Sequence, residues 1–283
     1  RRGMIKTMLT VSALFLLCVS ATAHEGSVIY PIFELPPSQL PDLHDGTLAD
    51  WEAALPNASL THNDFWSFTG EQALQFRVFL GWSLAEQQIY VGVERFDDEF
   101  VDGGEMFAIE IDGDHSGGMM WDANMGALSQ EQQNLLASNG QRYQYQPRGE
   151  ERQVFGFGDE WAWSRTVPFM DVGIDDVGER PNQLILEMML TLWDRLDPEG
   201  LESSRQSVLR SGNIIGFQIT LIDGDENAFG LYAITESLPE ERYNTDVFVD
   251  GELLPCDLPG CSQNTTAVRN DSWAKIKISL NTR

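Results

Sequence analysis

Three short turns that follow apolar runs are crowded with oxygen-bearing side chains. The run FAIEI leads into Asp-Gly-Asp, and the run FQITLI leads into Asp-Gly-Asp-Glu-Asn. Alternate acids on a tight turn point the same way and supply several of the roughly six to eight oxygens that calcium prefers. The candidate ligands in the three turns are Asp97, Asp98, Asp112, Asp114, Asp223, Asp225 and Asn227.

The same residue types are also common where a strand simply ends, because Asp, Asn and Gly favour turn backbone. Neither Asp-Gly-Asp loop continues to the glutamate and flanking helices of an EF-hand. For any one turn the sequence therefore leaves two interpretations open, a strand-ending turn or a metal site. We expect calcium to occupy at least one of the three.

Two glutamates stand inside predicted strands, each on the face opposite its apolar neighbours. Glu110 lies in MFAIEID and Glu187 in LILEMML. A carboxylate pair is what a glycosidase uses as general acid and nucleophile, but only their separation in space decides this. We expect both to face solvent, sugar hydroxyls or a cation. The sequence also lacks GxSxG, HExxH and phosphate-loop motifs, so no catalytic residue is assigned.

Eight tryptophans are many for 283 residues. Four lie in or beside strand patterns and are predicted to be core: Trp51, Trp66, Trp82 and Trp193. The other four are candidates for stacking on the apolar face of a sugar ring, with burial as the alternative for each: Trp121, Trp161, Trp163 and Trp273. Trp161 and Trp163 share one face of a predicted short strand with Arg165, a candidate donor to a sugar hydroxyl.

The chain is strongly acidic, with a formal net charge of −26. Nucleic acid is therefore not expected as a partner, because phosphate backbones are bound by Lys and Arg that displace counterions. Neutral ligands and cations suit this charge.

The first residues have the pattern of a secretory signal peptide. Lys6 precedes an apolar run from Met8 to Val19, and the small-x-small triplet Ala21-Thr22-Ala23 follows. The run is shorter than the roughly 20 residues that span a bilayer, so no stable membrane insertion is expected. Residues 1–23 are predicted to be a leader, and the protein to be secreted or periplasmic.

In an oxidising compartment, Cys256 and Cys261 most simply form a disulfide around DLPG. Two free thiols are the alternative. A zinc site is not expected, because the four histidines show no ligand spacing beside these cysteines.

Apolar residues alternate in many short runs, as in half-buried strands. The runs cover residues 74–82, 89–93, 107–111, 184–192, 215–221, 229–233 and 273–278. Helix is predicted only for SQEQQNLLAS, residues 129–138. The pattern predicts an all-β, antiparallel β-sandwich of jelly-roll type. Residues 24–283 form a single predicted domain, with one long, partly helical insertion near 115–180 and another near 240–270.

Five stretches, in order, resemble the family 9 carbohydrate-binding modules of secreted bacterial xylanases. They are HDGTLADWEAA, QQIYVGVERFDDEF, GEMFAIEIDGD, LILEMMLTLWDRL and SGNIIGFQITLIDGDEN. The resemblance implies a β-sandwich, calcium in loops, and a slot in which two tryptophans sandwich a terminal sugar. It assigns no single tryptophan of this chain to that slot.

We therefore interpret the chain as a secreted, non-catalytic carbohydrate-binding protein with calcium as cofactor. Its expected partner is an oligo- or polysaccharide, and its expected context is polysaccharide breakdown. A calcium-binding surface scaffold is one alternative.

Haem binding is the other alternative, since relatives of this fold resemble the haem subunit of ethylbenzene dehydrogenase, which holds haem between methionine and lysine. Methionine is also ordinary core filler, and no CxxCH motif is present. The candidate ligands would be Met106, Met119, Met120 or Met125 with Lys275 or Lys277.

Overall fold

The structure is a computed structural model that describes residues 28–69, 74–99, 101–121, 127–147, 154–155, 159–176, 182–225, 229–236 and 243–256. Most regular structure in these residues is strand. The strands are β1 (Ile29–Glu34), β2 (Leu60–Thr61), β3 (Trp66–Ser67), β4 (Gln75–Ser83), β5 (Gln88–Asp97), β6 (Met106–Asp112), β7 (Gln141–Tyr145), β8 (Val154–Phe155), β9 (Met170–Asp176), β10 (Asn182–Thr191), β11 (Trp193–Arg195), β12 (Arg205–Gln206), β13 (Ile214–Asp223), β14 (Gly230–Ala233) and β15 (Val249–Leu254). The helices are α1 (Ala49–Ala54) and α2 (Gln130–Ala137), with 3-10 turns at Pro37–Gln39, His62–Asp64, Asp159–Arg165, Leu201–Ser203 and Thr245–Val247.

Among the described residues, hydrogen bonds join thirteen strands into one ladder that folds over itself into two layers. Its main path is β8-β7-β6-β13-β15-β1-β4-β5-β10-β9, and β14, β3 and β2 pair at its sides. Inward residues of β6, such as Phe107 and Ile109, enter the same apolar core as Val91 of β5 and Leu186 of β10. The predicted all-β sandwich is confirmed.

Strand β1 joins the two layers and departs from the predicted antiparallel pairing. It runs parallel to β15 on one side, with Ile32 opposite Leu253, and parallel to β4 on the other, with Glu34 opposite Trp82. Parallel neighbours need a long connection rather than a hairpin. The partners of β1 are accordingly far from it in sequence.

A second, smaller core covers the outer face of the β4–β5–β10 layer. Trp51 of α1 is buried there with its ring centroid 5.9 Å from that of Phe79. Gly92 makes room for it, since a Cβ at that position would lie 2.7 Å from the indole ring. The backbone at Leu43 comes closer still, because a Cβ on Gly173 would lie 1.4 Å from the Leu43 carbonyl oxygen.

The segment predicted as a long insertion supplies three strands of the sandwich, β7, β8 and β9, besides its helix. β7 pairs with β6, and β9 pairs with β10. The predicted helix is confirmed as α2, where the Ser129 hydroxyl accepts the Gln132 N–H and the Gln132 side chain accepts the Ser129 N–H.

The second expected insertion contains β15, which lies in the middle of the ladder. The predicted leader and the strand predicted at 273–278 lie outside the described residues. Among the helices that the structure describes, none is long and apolar enough to cross a membrane.

Gly173→Ala should destabilise the fold because its Cβ would collide with the Leu43 carbonyl. We expect the free energy of unfolding in urea to fall by about 1–3 kcal/mol, the usual cost of forcing extra atoms into a packed site. Gly200→Ala is the control, since a Cβ there meets nothing within 4 Å and only the positive φ of 112° opposes it. Gly200→Ala thus measures the cost of backbone strain without a collision, and a loss below about 0.5 kcal/mol in Gly173→Ala would contradict the close approach.

Candidate functional site

The outer face of the β7–β6–β13 layer carries a row of buried polar side chains. Strand register places Glu110 of β6 between Arg142 of β7 and Gln218 of β13. Their exposed fractions are 0, 8 and 2%, for Glu110, Arg142 and Gln218 in that order. Because buried polar groups lose their hydration, each needs a hydrogen-bonding partner in the protein or a ligand.

Arg142 makes most of the hydrogen bonds within this row. Its guanidinium donates to Glu110 Oε1 and, at 2.6 Å, to Gln144 Oε1. Gln218 Nε2 donates to Thr220 Oγ1 over 3.4 Å, whereas Gln218 Oε1 is buried with no hydrogen-bond partner among the described residues. The face thus combines the Arg142–Glu110 ion pair with a hydrogen-bond acceptor, Gln218 Oε1, that has no partner among the described residues. We call these five residues the polar row.

Two aromatic rings lie at the edge of the polar row. The ring centroids of Trp121 and Tyr243 are 4.7 Å apart at an angle of 47°, and the Arg142 guanidinium lies 5.1 Å from the Tyr243 centroid. The Met120 N–H donates to the Tyr243 carbonyl at 2.8 Å, which ties the two loops together. Both rings are half-buried. Of the predicted residues, Trp121 and Glu110 are therefore brought to one region, through Arg142 and Tyr243, which the sequence did not single out.

The predicted short strand carrying Trp161, Trp163 and Arg165 is wrong, because residues 159–165 form a 3-10 helix. Both indoles anchor this helix to the backbone of residues 196–197, with Nε1 of each donating to a carbonyl at 3.4 and 3.2 Å. Trp161 is only 3% exposed, so its ring faces are not available for stacking on a ligand. Trp163 is half-buried and packs edge-on against Trp193 with centroids 5.3 Å apart.

Arg165 lies beside Tyr143 of β7, whose side chain points to the opposite face of the strand from Arg142. Together with Arg142, Gln141 and Tyr143 it lines a cleft of about 20 Å³. That volume holds one water and is far below the roughly 300 Å³ of a typical ligand pocket.

Two of the three predicted acidic turns converge at one end of the sandwich. One carboxylate oxygen from each of Asp97, Asp223 and Asp225 lies within 4.8 Å of the other two. Asp97 Oδ2 and Asp223 Oδ1 are buried with no hydrogen-bond partner among the described residues. Three carboxylates this close to one another fit the chemistry of a calcium ion. We call these three residues the acidic cluster.

The acidic cluster concentrates negative charge beside a buried ion pair. Arg95 Nη1 lies 3.0 Å from Glu105 Oε2, and both side chains are buried. Burial, together with the charges of Asp97 and Asp225, raises the pKa of Asp223 to about 7 against the opposing charge of Arg95. Burial also raises the pKa of Glu105 to about 7 against the opposing charge of Arg95. Protons or a cation must offset this charge in the folded state.

The Asp112–Asp114 turn lies at the other end of β6 and is closed by protein contacts. Asp112 Oδ2 accepts the Gly117 N–H at 2.8 Å. Burial raises the pKa of Asp114, a hydrogen bond from Ser116 lowers it, and the charge of Asp112 raises it. Within the described ranges, three acids with carboxylate oxygens all within 4.8 Å of one another are found only in the acidic cluster. The geometry favours a strand-ending turn here, and Asp98 is exposed outside the acidic cluster.

Three predicted residues, Asn227, Trp273 and Cys261, lie outside the described residues. Their roles, including the Cys256–Cys261 disulfide, stay predictions.

Glu187 lies on the outer face of the opposite layer. Its Oε1 accepts the Trp51 indole N–H at 2.7 Å. Burial raises the pKa of Glu187 to about 7, and the Trp51 hydrogen bond lowers it. Glu110 and Glu187 point away from each other across two sheets stacked roughly 10 Å apart, whereas glycosidase carboxylates lie about 5–9.5 Å apart. The two cannot act on one glycosidic bond.

The prediction that Trp66 is core is wrong, because the side chain is 54% exposed. It lies on β3, a two-residue edge strand that pairs only briefly with β14. Trp51, Trp82 and Trp193 are buried as predicted. The shortness of the strand-like run around Trp66 is the sequence signal that distinguishes it from them.

Known structures share this two-layer architecture. A family 9 carbohydrate-binding module from Caldicellulosiruptor kristjanssonii in complex with cellotriose matches with a TM-score of 0.54 and 12% identity, over 86% of this chain and 100% of that one. A family 9 module from the same organism in complex with glucose gives a TM-score of 0.53 and 11% identity, over 85% and 100%. The chain has the fold of a family 9 carbohydrate-binding module. No protein-family model matches its sequence, and no curated protein does.

The methionines considered as haem ligands differ in burial. Met106 is buried with its sulfur 3.9 Å from an Arg142 nitrogen, and Met120 is fully buried. Met119 is exposed. Met106 therefore packs against the polar row. The remaining haem candidates, Met125, Lys275 and Lys277, lie outside the described residues.

In chelator-treated protein, the free energy of unfolding should fall as pH rises from about 4 to about 7. The folded-state pKa values of Asp223 and Glu105 lie near 7, above the values of about 4 in unfolded chains, so the folded state holds protons that the unfolded state has lost. Urea unfolding at acidic and slightly alkaline pH measures this slope. Added calcium should restore the free energy of unfolding at alkaline pH.

Asp223→Asn tests the same site by charge removal. With chelator at alkaline pH we expect it to unfold at higher urea than wild type, and to gain less from calcium. Glu86→Gln, which changes an exposed acid in the turn between β4 and β5, is the matched control and should change stability by no more than about 0.5 kcal/mol. A calcium gain equal to that of wild type in Asp223→Asn would contradict the assignment.

Proposed function

We propose that this protein is a non-catalytic carbohydrate-binding module and that the polar row is its sugar site. The observation that carries the proposal is Gln218 Oε1, a buried acceptor without a partner among the described residues. It lies in the same row as the Arg142–Glu110 pair. A sugar ring needs hydrogen-bonding groups for its hydroxyls and an apolar surface for its carbon face. The row supplies the first, and the Trp121–Tyr243 pair supplies the second.

The charges of the row favour a neutral sugar. The guanidinium of Arg142 is bound to Glu110 and to the Gln144 amide oxygen, and it faces the Tyr243 ring. A carboxylate on the ligand would compete with Glu110 for this guanidinium and would leave a buried glutamate unpaired, which is costly. The structural neighbours were solved with cellotriose and with glucose, both neutral.

The arrangement also supports binding without catalysis. Glu110 Oε1 accepts from Arg142, which holds the carboxylate in an ion pair. Its only counterpart among the predicted candidates, Glu187, faces the other side of the molecule. The pair that a glycosidase needs is therefore not assembled from these residues.

Calcium in the acidic cluster would brace the strands that carry the polar row. Asp223 ends β13, and Glu105, whose Oε1 accepts the Gly224 N–H over 3.3 Å, directly precedes β6. A divalent ion here would replace repulsion between three carboxylates by attraction. Removal of the ion would loosen β6 and β13, which hold Glu110 and Gln218.

We place the protein outside the cytoplasm, in the breakdown of polysaccharides. The leader pattern at residues 1–23 and the resemblance to modules of secreted xylanases support this context. An oligo- or polysaccharide is the proposed partner.

The direct test is calorimetric titration of soluble neutral oligosaccharides, with calcium and again with a chelator. Trp121→Ala should weaken binding by about 1–3 kcal/mol, the range for loss of one stacking platform. Phe96→Ala is the matched control, because Phe96 is an exposed aromatic on the opposite layer. Wild-type affinity in both Trp121→Ala and Tyr243→Ala would place the site elsewhere, with the exposed Trp66 the next position to vary.

Gln218→Leu separates a binding role from a structural one. Leucine removes a buried acceptor that has no partner among the described residues, so the free energy of unfolding should change by less than about 1 kcal/mol. Sugar affinity should fall, because a ligand hydroxyl loses its acceptor. Thermal denaturation and titration of the same sample measure both effects. Unchanged affinity would remove Gln218 from the site.

A further inference from the structure

A cavity of about 270 Å³ opens on the face of the molecule opposite to the polar row. Asp45 and Asp175, both exposed, stand among its lining residues, and Glu187 lies in its buried wall. Among the described residues, neither Lys nor Arg lines this cavity. A cavity of this size has room for several waters as well as an ion.

The buried carboxylate of Glu187 is the observation that points to a ligand in this cavity. The side chain is 1% exposed, and Oε1 is occupied by the Trp51 indole N–H. Its other oxygen, Oε2, is buried with no hydrogen-bond partner among the described residues. A buried carboxylate oxygen without a donor is costly unless a proton or a cation reaches it.

The backbone around the cavity is held close without blocking it. Gly173 allows the Leu43 carbonyl to approach β9. Gly46 packs against the side chain of Asp175, and a Cβ on Gly46 would lie 3.1 Å from Asp175 Oδ2. The loop that carries Asp45 is fixed by its own contacts, since Asp45 Oδ1 accepts the Thr47 N–H at 2.8 Å. The carboxylates are thus presented on a structured rim.

Further acids surround the cavity. The charges of Asp50, Asp45 and Asp42 all act on Glu187. His44, the nearest basic side chain among the lining residues, lies 3.2 Å from Asp171. The field inside the cavity is therefore negative, which concentrates cations there.

We propose that this cavity is a second cation site, in which a hydrated divalent ion is bound by Glu187 Oε2 and is reached through bridging waters by the carboxylates of Asp45 and Asp175. The three carboxylates are spread more widely than those of the acidic cluster, so waters must bridge part of the shell. Hard divalent ions accept such mixed shells of carboxylate and water. The site is independent of the acidic cluster and of the sugar site.

The test is equilibrium dialysis of chelator-stripped protein against calcium alone and magnesium alone. Glu187→Gln keeps the acceptor for Trp51 and removes the charge, so it should fold like wild type and bind one ion fewer per chain. Asp223→Asn should lose the ion of the acidic cluster and keep this one. Glu86→Gln, an exposed acid in the β4–β5 turn, is the matched control and should bind as wild type does.

A second readout locates the ion. The indole N–H resonance of Trp51 should shift on addition of the ion in wild type and in Asp223→Asn, and should stay in place in Glu187→Gln. Equal ion stoichiometry in Glu187→Gln and wild type would overturn the proposal. So would a Trp51 resonance that ignores the ion in Asp223→Asn.

Discussion

The structure depends on one shared apolar core between its two sheets. Because side chains alternate along a strand, each residue that enters the core forces its neighbours onto an outer face. A slip of one residue in β6 would put Glu110 into the core and Ile109 outside. The apolar residues of β6 and β13 therefore fix the positions of Glu110 and Gln218, although they point to the other face of the sheet.

Much of the fold could be predicted from that alternation. β4, β5, β6, β10 and β13 lie where the periodicity places them, since each has a long inward face. The sequence did not predict β7, because its outward residues Arg142 and Gln144 are polar. Both are nevertheless largely covered in the folded state. β1 and β15 are short, and β1 contains Pro31, so their patterns are weak before their partners are known. The 3-10 helix at 159–165 is set by tertiary contacts of its indoles, which no local pattern contains.

The candidate sites show the same division. The acids of the turns were recognisable, but local spacing is alike in the turns at Asp112 and Asp223. Antiparallel pairing of β6 and β13 separates them, because the end of one strand lies beside the start of the other. Only the ladder brings Asp97 to Asp223. Arg142 and Tyr243, which complete the polar row, are ordinary polar and aromatic residues until the strands assemble.

The parallel pairing of β1 has a mechanical consequence. This strand is hydrogen-bonded to β15 on one side and to β4 on the other, so it belongs to both layers at once. Tension applied to the backbone ahead of Ile29 would be shared between two ladders loaded along their length. Strand β1 would therefore transmit a force into both sheets together, instead of peeling away from one of them.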